Sequence, residues 1–280
     1  MKQRLAFYPG CLVLQRMPEY ELATRSVLRA LGIELEIVQR AACCGAPVAE
    51  SFTADWWYLS AYNLALVEAM GHDTVVTVCG SCTNGLTRAW LALQDPQTRA
   101  EANRRLATLG LRVTGRVRVQ HVVRLLDEHA DEIRARVVSP LSFRVAVTNP
   151  CQVFRPGDVM GQPGEDPMAP QAMRRLVALT GAEVVEYGGE DECCGATLYL
   201  AAPNLSLAAG RRKLEMTYTH DADLLLQGCG NSQLLLRRFQ PLLIRGKPAL
   251  RREALLLPQL IGLAIGLPAN DLGLREGVYR

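Results

Sequence analysis

Nine cysteines fall into two constellations that share a spacing. In the first, Cys11 is followed after 31 residues by the adjacent pair Cys43-Cys44, after 34 more by Cys79, and after two more by Cys82. In the second, Cys151 is followed after 41 residues by Cys193-Cys194 and after 34 more by Cys229. Both pairs open the same tetrapeptide, Cys-Cys-Gly-Ala, at 43–46 and at 193–196. Adjacent cysteines are badly placed to bridge one another, because a trans peptide holds their Cα atoms about 3.8 Å apart, short of the disulfide range of about 4.4–6.8 Å. Two neighbouring thiolates aimed at one polynuclear metal site make better physical sense, with Gly45 and Gly195 letting the backbone turn tightly against it. Soft thiolates select zinc, copper(I) or iron–sulfur clusters. Five exceed the usual complement of a tetrahedral zinc or of an ordinary cubane, so the set points to a cluster whose irons share thiolates unusually. Where the first constellation has Cys82 the second has Ser232, and that site is one thiolate short.

Composition bounds what surrounds these sites. The 280 residues are 49% hydrophobic and 21% charged, which fits a soluble globular protein of one or two domains. A net charge of +3, no long basic run and 6% aromatics exclude a nucleic-acid binder. Met1-Lys2-Gln3-Arg4 runs into a short apolar stretch ended by Pro9-Gly10, which does not read as a signal peptide. The expectation is a reducing, cytoplasmic setting in which cysteines serve metal or redox chemistry. The odd count already forbids complete disulfide pairing. The apolar stretch Leu255 to Leu267, interrupted by Pro258, Gly262 and Gly266, is about 13 residues long. A transmembrane span needs about 20, so it reads as a core or partner-facing helix. No nucleotide, flavin or serine-hydrolase fingerprint is present, and any flavin belongs to a partner. His72 and His220 read as turn or helix-terminus residues.

The elements that must position the cysteines alternate. Gln3 to Tyr8 reads as a buried strand broken by Pro9-Gly10-Cys11; Glu19 to Leu31 carries a helical stripe ended by Gly32; Ile33 to Val38 is a strand that leads to the Cys43-Cys44 turn. A helix is expected from about Asp55 to Met70, with Trp56, Leu59, Leu66, Val67 and Met70 on one face. Thr74 to Val78 is a β-branched strand that delivers Cys79, and a helix with Leu86, Trp90 and Leu93 inward follows. After a polar helix (97–108), a short strand and a helix over His121 to Ile133, the pattern restarts. Phe143 to Thr148 is broken by Pro150-Cys151, a helix spans Pro170 to Thr180, Glu183 to Tyr187 leads to Cys193-Cys194, a helix covers Ser206 to Tyr218, and Asp223 to Gln227 ends at Cys229. The longer spacing in the second half comes from Gly157 to Pro170, read as an exposed loop or a lid beside the site. An internal repeat of this length means two similar domains, placed at 1–138 and 139–280 with Arg134 to Pro140 between them. Strand–helix alternation predicts an α/β fold with short parallel sheets flanked by helices, and parallel sheets hold ligands at their carboxyl edge. Pseudo-twofold pairing of the halves would bring the two sites together.

Two copies of Cys, Cys-Cys-Gly and Cys at these spacings, the first completed as Cys-x-x-Cys and the second ending in Ser232, resemble the CCG domain found in the B subunit of heterodisulfide reductase, over nearly the whole chain. The resemblance implies non-cubane [4Fe–4S] clusters and a protein that reduces a disulfide. It implies that Cys11, Cys43, Cys44, Cys79 and Cys82 bind the first cluster and act through it. Cys151, Cys193, Cys194 and Cys229 would bind a second iron–sulfur cluster, altered or cubane, or zinc, with Ser232 at the fifth position. The implied partners are a ferredoxin-like iron–sulfur subunit and a flavoprotein subunit, and the implied substrate is a disulfide or, in the sulfur-oxidising branch, lipoate-bound sulfur. The alternative is an electron-transfer or docking subunit of a respiratory flavoprotein dehydrogenase acting on succinate, lactate or glycerol phosphate. A zinc-structured binding module is the third reading.

Overall fold

The computed structural model describes residues 3–46 and 55–276. Met1 and Lys2, where the reading of the leader began, lie outside the described residues. Eight strands among the described residues form two four-stranded parallel sheets: β1 (Gln3–Tyr8), β2 (Ile33–Ile37), β3 (Thr74–Thr77) and β4 (Arg118–His121) in the order β2-β1-β3-β4, and β5 (Arg144–Thr148), β6 (Glu183–Val185), β7 (Leu224–Gln227) and β8 (Glu253–Leu256) in the order β6-β5-β7-β8. The two orders are the same pattern repeated, as the duplicated cysteine spacing requires. In each sheet the chain steps from its first strand to one side and then crosses to the other. The first and third strands therefore flank a topological switch point, where a crevice opens at the carboxyl edge.

Parallel strands are buried on both faces and bury alternate residues in opposite directions. In β1, Leu5 and Phe7 enter one core while Ala6 and Tyr8 enter another; in β5, Val145 and Val147 separate from Ala146 in the same way, and in β7 Leu224 and Leu226 separate from Leu225. Leu5, Phe7, Val145, Val147, Leu224 and Leu226 all enter the same core. It is shared by both sheets and filled by helices from both halves: Pro18–Ala30, Val122–Glu128, Ala172–Leu179 and Leu257–Ala264. The outer face of the first sheet is covered by Trp57–Ala69, Gly80–Ala92 and Pro96–Ala107, and that of the second chiefly by Pro203–Thr219. The segment joining the helix Ala130–Arg136 to β5 leads from the first sheet to the second.

Three expectations need correction. Leu59 is 39% exposed, because Trp57–Ala69 turns Ser60, Ala61, Asn63, Leu64 and Val67 inward instead. The single helix expected over 121–133 breaks at His129 into Val122–Glu128 and Ala130–Arg136. The apolar stretch at 255–267 begins inside an unforeseen edge strand, β8, before the helix Leu257–Ala264, whose side chains fill the shared core. The segment 157–170 is exposed over most of its length, as expected of a loop, and is held by the short helix Gly157–Met160, by buried Met160, and by Glu165, which accepts from the Gln171 amide at 2.7 Å and pairs with Arg175.

A shared core predicts coupled unfolding. All three tryptophans, Trp56, Trp57 and Trp90, lie in the first half. Leu260→Ala, at a fully buried position of the second half, is expected to remove about 3 kcal/mol from the urea transition read by tryptophan fluorescence. An unshifted tryptophan transition would mean that the halves unfold independently.

Candidate metal centres

Every cysteine is a free thiol, and every one lies just past the carboxyl end of a strand. Cys11 follows β1, Cys43 and Cys44 follow β2, and Cys79 and Cys82 follow β3. Beneath the first set, Tyr8, Thr77 and His121 end β1, β3 and β4 in register; Thr148, Gln227 and Leu256 form the corresponding row in the second sheet.

The first five thiols form a chain of hydrogen-bonded neighbours. Cys11 meets Cys43, Cys43 meets Cys44, Cys44 meets Cys82, and Cys82 meets Cys79. Gly10 has φ +78°, and a Cβ on it would stand 2.7 Å from Cys82 Sγ. Only glycine lets the loop after β1 close over that sulfur. Gly45 (φ +79°) folds its amide back to donate to Cys43 Sγ at 3.5 Å, and Gly195 (φ +86°) does the same for Cys193 Sγ at 3.4 Å. The helix after Cys79 aims the Ser81 and Cys82 amides at the Cys79 sulfur, as helix N-termini do for anions. Ser60 Oγ donates to Cys44 O at 2.6 Å, Asn63 holds the Ala42 amide and carbonyl, and Tyr8 Oη donates to Ala42 O at 2.7 Å.

The second set repeats the plan with Cys151 beside Cys193. Ser232 stands where Cys82 stands in the first, and its hydroxyl donates to Cys194 Sγ at 3.2 Å. Two cations attend this set. Lys213, 1% exposed, donates from Nζ to Gly189 O at 2.5 Å and Glu190 O at 3.5 Å. Arg155 donates to Asp191 O at 2.7 Å, and its charge favours the Cys193 thiolate.

The sets meet where the halves meet. Cys229 is hydrogen-bonded to Cys79, and the Gly80 amide donates to Cys229 Sγ at 3.2 Å. The Gly230 amide reaches back to Val78 O at 3.3 Å, and Asn231 Nδ2 donates to Ser81 Oγ at 2.7 Å. Cys79 and Cys229, and Ser81 and Asn231, are equivalent positions of the repeat, so like touches like, as across a twofold axis. Tyr20 Oη, donating to Gly228 O at 3.1 Å, braces the junction from the first half.

Crowding splits the thiols. Cys43 is pulled far down by hydrogen bonds from Cys11 and Cys44, and Cys79 by those from Cys229 and Cys82. Their donors move up: Cys11 through its bond to Cys43, Cys82 through Cys44 and Cys79, and Cys229 through Cys79. In the second set Cys193 is drawn down to about 5 by Cys151, whereas burial pushes Cys194 up. Burial also pushes the His121 ring down to about 3, against the nearby Cys79 charge; its Nδ1 accepts from the Val123 amide at 3.3 Å and its buried Nε2 has no partner among the described residues.

The donor set fits a bound cluster: thiolates and near-thiolates, backbone amides turned to the sulfurs, a glycine approach that a Cβ would block, and an orphaned imidazole nitrogen. Among the described residues no three His, Cys, Asp or Glu side chains gather as the shell of one metal ion. The sulfurs are strung out as chains of neighbours. All ten positions singled out in the sequence, Ser232 included, lie in these two sets. Sequence reasoning missed Tyr8, Tyr20, Asn63, His121 and Lys213. Lys213 had a signal: with Ser206, Gly210, Leu214 and Thr217 it shares the inward stripe of its helix, where a lysine is out of place.

Comparison with known proteins agrees with the repeat. The model of the CCG cysteine-rich domain matches twice, over residues 5–87 and 145–237. The B subunit of the ferredoxin/F420H2-dependent CoB–CoM heterodisulfide reductase of Methanosarcina acetivorans is 30% identical over 99% of this chain and 94% of its own. An Archaeoglobus profundus protein described as like the B subunit of heterodisulfide reductase is 31% identical over 94% of this chain and 91% of its own. The membrane anchor subunit of the 8-methylmenaquinol:fumarate reductase of Wolinella succinogenes is 30% identical over 99% and 98%. A crystal structure of a hypothetical protein from Helicobacter pylori superposes on all of this chain and 52% of its own with a TM-score of 0.73, at 15% identity, a likeness of fold alone.

Exposure and acidity together order the second set. In iron-free, reduced protein at pH 6, Cys193 is exposed and above its depressed pKa, whereas Cys194 and Cys229 are buried and protonated. Iodoacetamide followed by peptide mass spectrometry is expected to label Cys193 well before Cys194 or Cys229, with labelling falling only as pH drops towards 5. Earlier labelling of Cys194 would contradict the geometry.

Proposed function

The chain belongs to the cysteine-rich CCG family that includes the B subunit of heterodisulfide reductase, and from that premise we propose that it interconverts a disulfide, or lipoate-bound sulfur, with its thiols while electrons pass to or from a ferredoxin-like partner. It is an oxidoreductase component, the iron–sulfur subunit of a heterodisulfide reductase-like or fumarate reductase anchor-like assembly. The observation that carries the finer reading is the direct meeting of the two thiol sets at Cys79 and Cys229.

Cys11, Cys43, Cys44, Cys79 and Cys82 would hold a non-cubane [4Fe–4S] cluster. Cys151, Cys193, Cys194 and Cys229, with Ser232 at the fifth position, would hold a second iron–sulfur cluster, altered or cubane, with zinc as the competing occupant. When bound, such clusters supply electrons singly, and opening a disulfide takes two; two adjoining sites meet that requirement. The chain's own groups do the rest. Cys11 and Cys193 are the exposed thiols, so each set faces solvent at one corner and a substrate sulfur approaches there. Burial and the surrounding thiolates hold the Tyr8 phenol protonated, keeping it a donor to Ala42 O beneath Cys43. The junction at Cys79 and Cys229 is buried, which excludes water from the path between sites.

The reading as a component of a respiratory flavoprotein dehydrogenase draws its support from the 30% identity to the Wolinella anchor protein. No helix among the described residues is long and apolar enough to cross a membrane, and the helix Leu257–Ala264 spends its apolar surface in the core. Disulfide-dependent oxidation of a reduced viologen by the assembled complex supports thiol–disulfide chemistry; its absence, with reduction by a quinol, supports the respiratory reading.

Anaerobically purified protein is expected to carry about eight irons with matching sulfide, or about four if zinc fills the second site; zinc without iron would sink both redox readings. Cys44→Ala is expected to lose the first cluster's EPR signal and its iron while circular dichroism is retained. Ser232→Cys restores the fifth thiolate and is expected to move the second site's EPR signal towards that of the first. An unchanged signal would remove Ser232 from the ligand position.

A further inference from the structure

The repeat supplies its own control for the environment of each site. Twenty residues after the first cysteine of each pair stand Asn63 and Lys213, on the equivalent helices Trp57–Ala69 and Pro203–Thr219. Each is 1% exposed. Each performs the same mechanical task, donating to carbonyls of the loop that carries its cysteines: Asn63 to Ala42 O and Cys43 O at 3.2 and 3.3 Å, Lys213 to Gly189 O and Glu190 O at 2.5 and 3.5 Å. The neutral amide suffices for that task, so the ammonium brings something more than anchorage. Two further differences have the same sign. Four residues past Cys151 stands Arg155, where Gln15 follows Cys11. Ser232 gives Cys194 a hydroxyl donor, where Cys82 gives Cys44 another sulfur. The second site gains a buried ammonium and loses one sulfur. Its loop also carries Glu190, Asp191 and Glu192 where the first has Arg40, Ala41 and Ala42, but Glu190 pairs with Arg174 at 3.1 Å and Glu192 with Arg212 at 3.0 Å, which leaves Asp191 against Lys213 and Arg155.

Burial weighs against the charge on Lys213, and the charges of Cys194, Cys151, Glu192 and Asp191 favour it. Reduction of a cluster adds one negative charge. A buried cation favours the reduced form, the more so in a low-dielectric interior, and donors to the sulfurs act in the same direction. Resting on the iron–sulfur reading above, we propose that Lys213, with Arg155 and Ser232, makes the second site the electron sink of the pair. Its cluster is reduced at a higher potential than the first, so an electron crossing between Cys79 and Cys229 settles in the second half. Lys213 is here a positioning residue for charge.

The test is an EPR-monitored redox titration of the iron-loaded full chain. Cys44→Ala isolates the second site's signal and Cys193→Ala isolates the first. The expected result is a higher midpoint for the second site, lowered by Lys213→Met with iron content unchanged, restored by Lys213→Arg, and without effect on the first site. Equal or reversed midpoints, or a midpoint unmoved by Lys213→Met at full iron content, overturn the proposal. Should Lys213→Met lose the second site's iron, Arg155→Gln decides instead: a lowered second midpoint supports the proposal and an unmoved one overturns it. A wild-type protein without iron would sink the iron–sulfur reading itself, and this inference with it.

Discussion

A parallel sheet ends all its strands on one edge, and a chain that crosses from one side of its first strand to the other opens a crevice there. Three loop starts converge on that crevice in each half, and each delivers cysteine. The arrangement of the sites follows from this topological constraint. The helices fix the spacing between strand ends, the glycines let the loops close over the sulfurs, and the duplication places the third strands of the two sheets so that Cys79 and Cys229 touch.

Bringing this many thiols together creates an electrostatic problem that the protein solves in two ways. Within the first set, the sulfurs share protons so unevenly that Cys43 and Cys79 are held as thiolates by their protonated neighbours, with backbone amides in support. The second set gives up one sulfur and recruits Lys213 and Arg155. The same fold thus presents two different charge environments at equivalent positions. Divergence spares the sheets, whose strand orders are identical, and falls on the loops, the helices and the side chains.

Much of this was legible in the chain. The cysteine spacing located the repeat, and alternation of apolar runs located seven of the eight strands, because buried parallel strands are short, β-branched or leucine-rich, and closed by Gly or Pro. β8 escaped because Glu253–Leu256 runs without a break into the apolar helix Leu257–Ala264, and one continuous apolar run does not announce where its period changes. Leu59 was misplaced because the helix around it is apolar on nearly every side, so its stripe could not be read. The site's supporting groups were hidden for a different reason: Tyr8, Tyr20 and His121 act through register and tertiary contact, which no local pattern encodes. The shared core was equally invisible, since nothing in either half's sequence says that the other half covers it.

That shared core also sets an order of events during synthesis. The helix Pro18–Ala30 packs against Leu257–Ala264 and the turn Ala269–Leu272, which are made long after it. Until those residues have left the ribosome, the inner face of the first sheet lacks part of its cover, and the crevice holding Cys11, Cys43, Cys44, Cys79 and Cys82 lacks the neighbour that closes it at Cys229. The first half's thiol set is therefore completed only after the second half is made, even though Cys11, Cys43, Cys44, Cys79 and Cys82 come first in the chain. Five thiols stand in an open crevice, within reach of oxidants and stray metal ions, for the whole time it takes to build the other half.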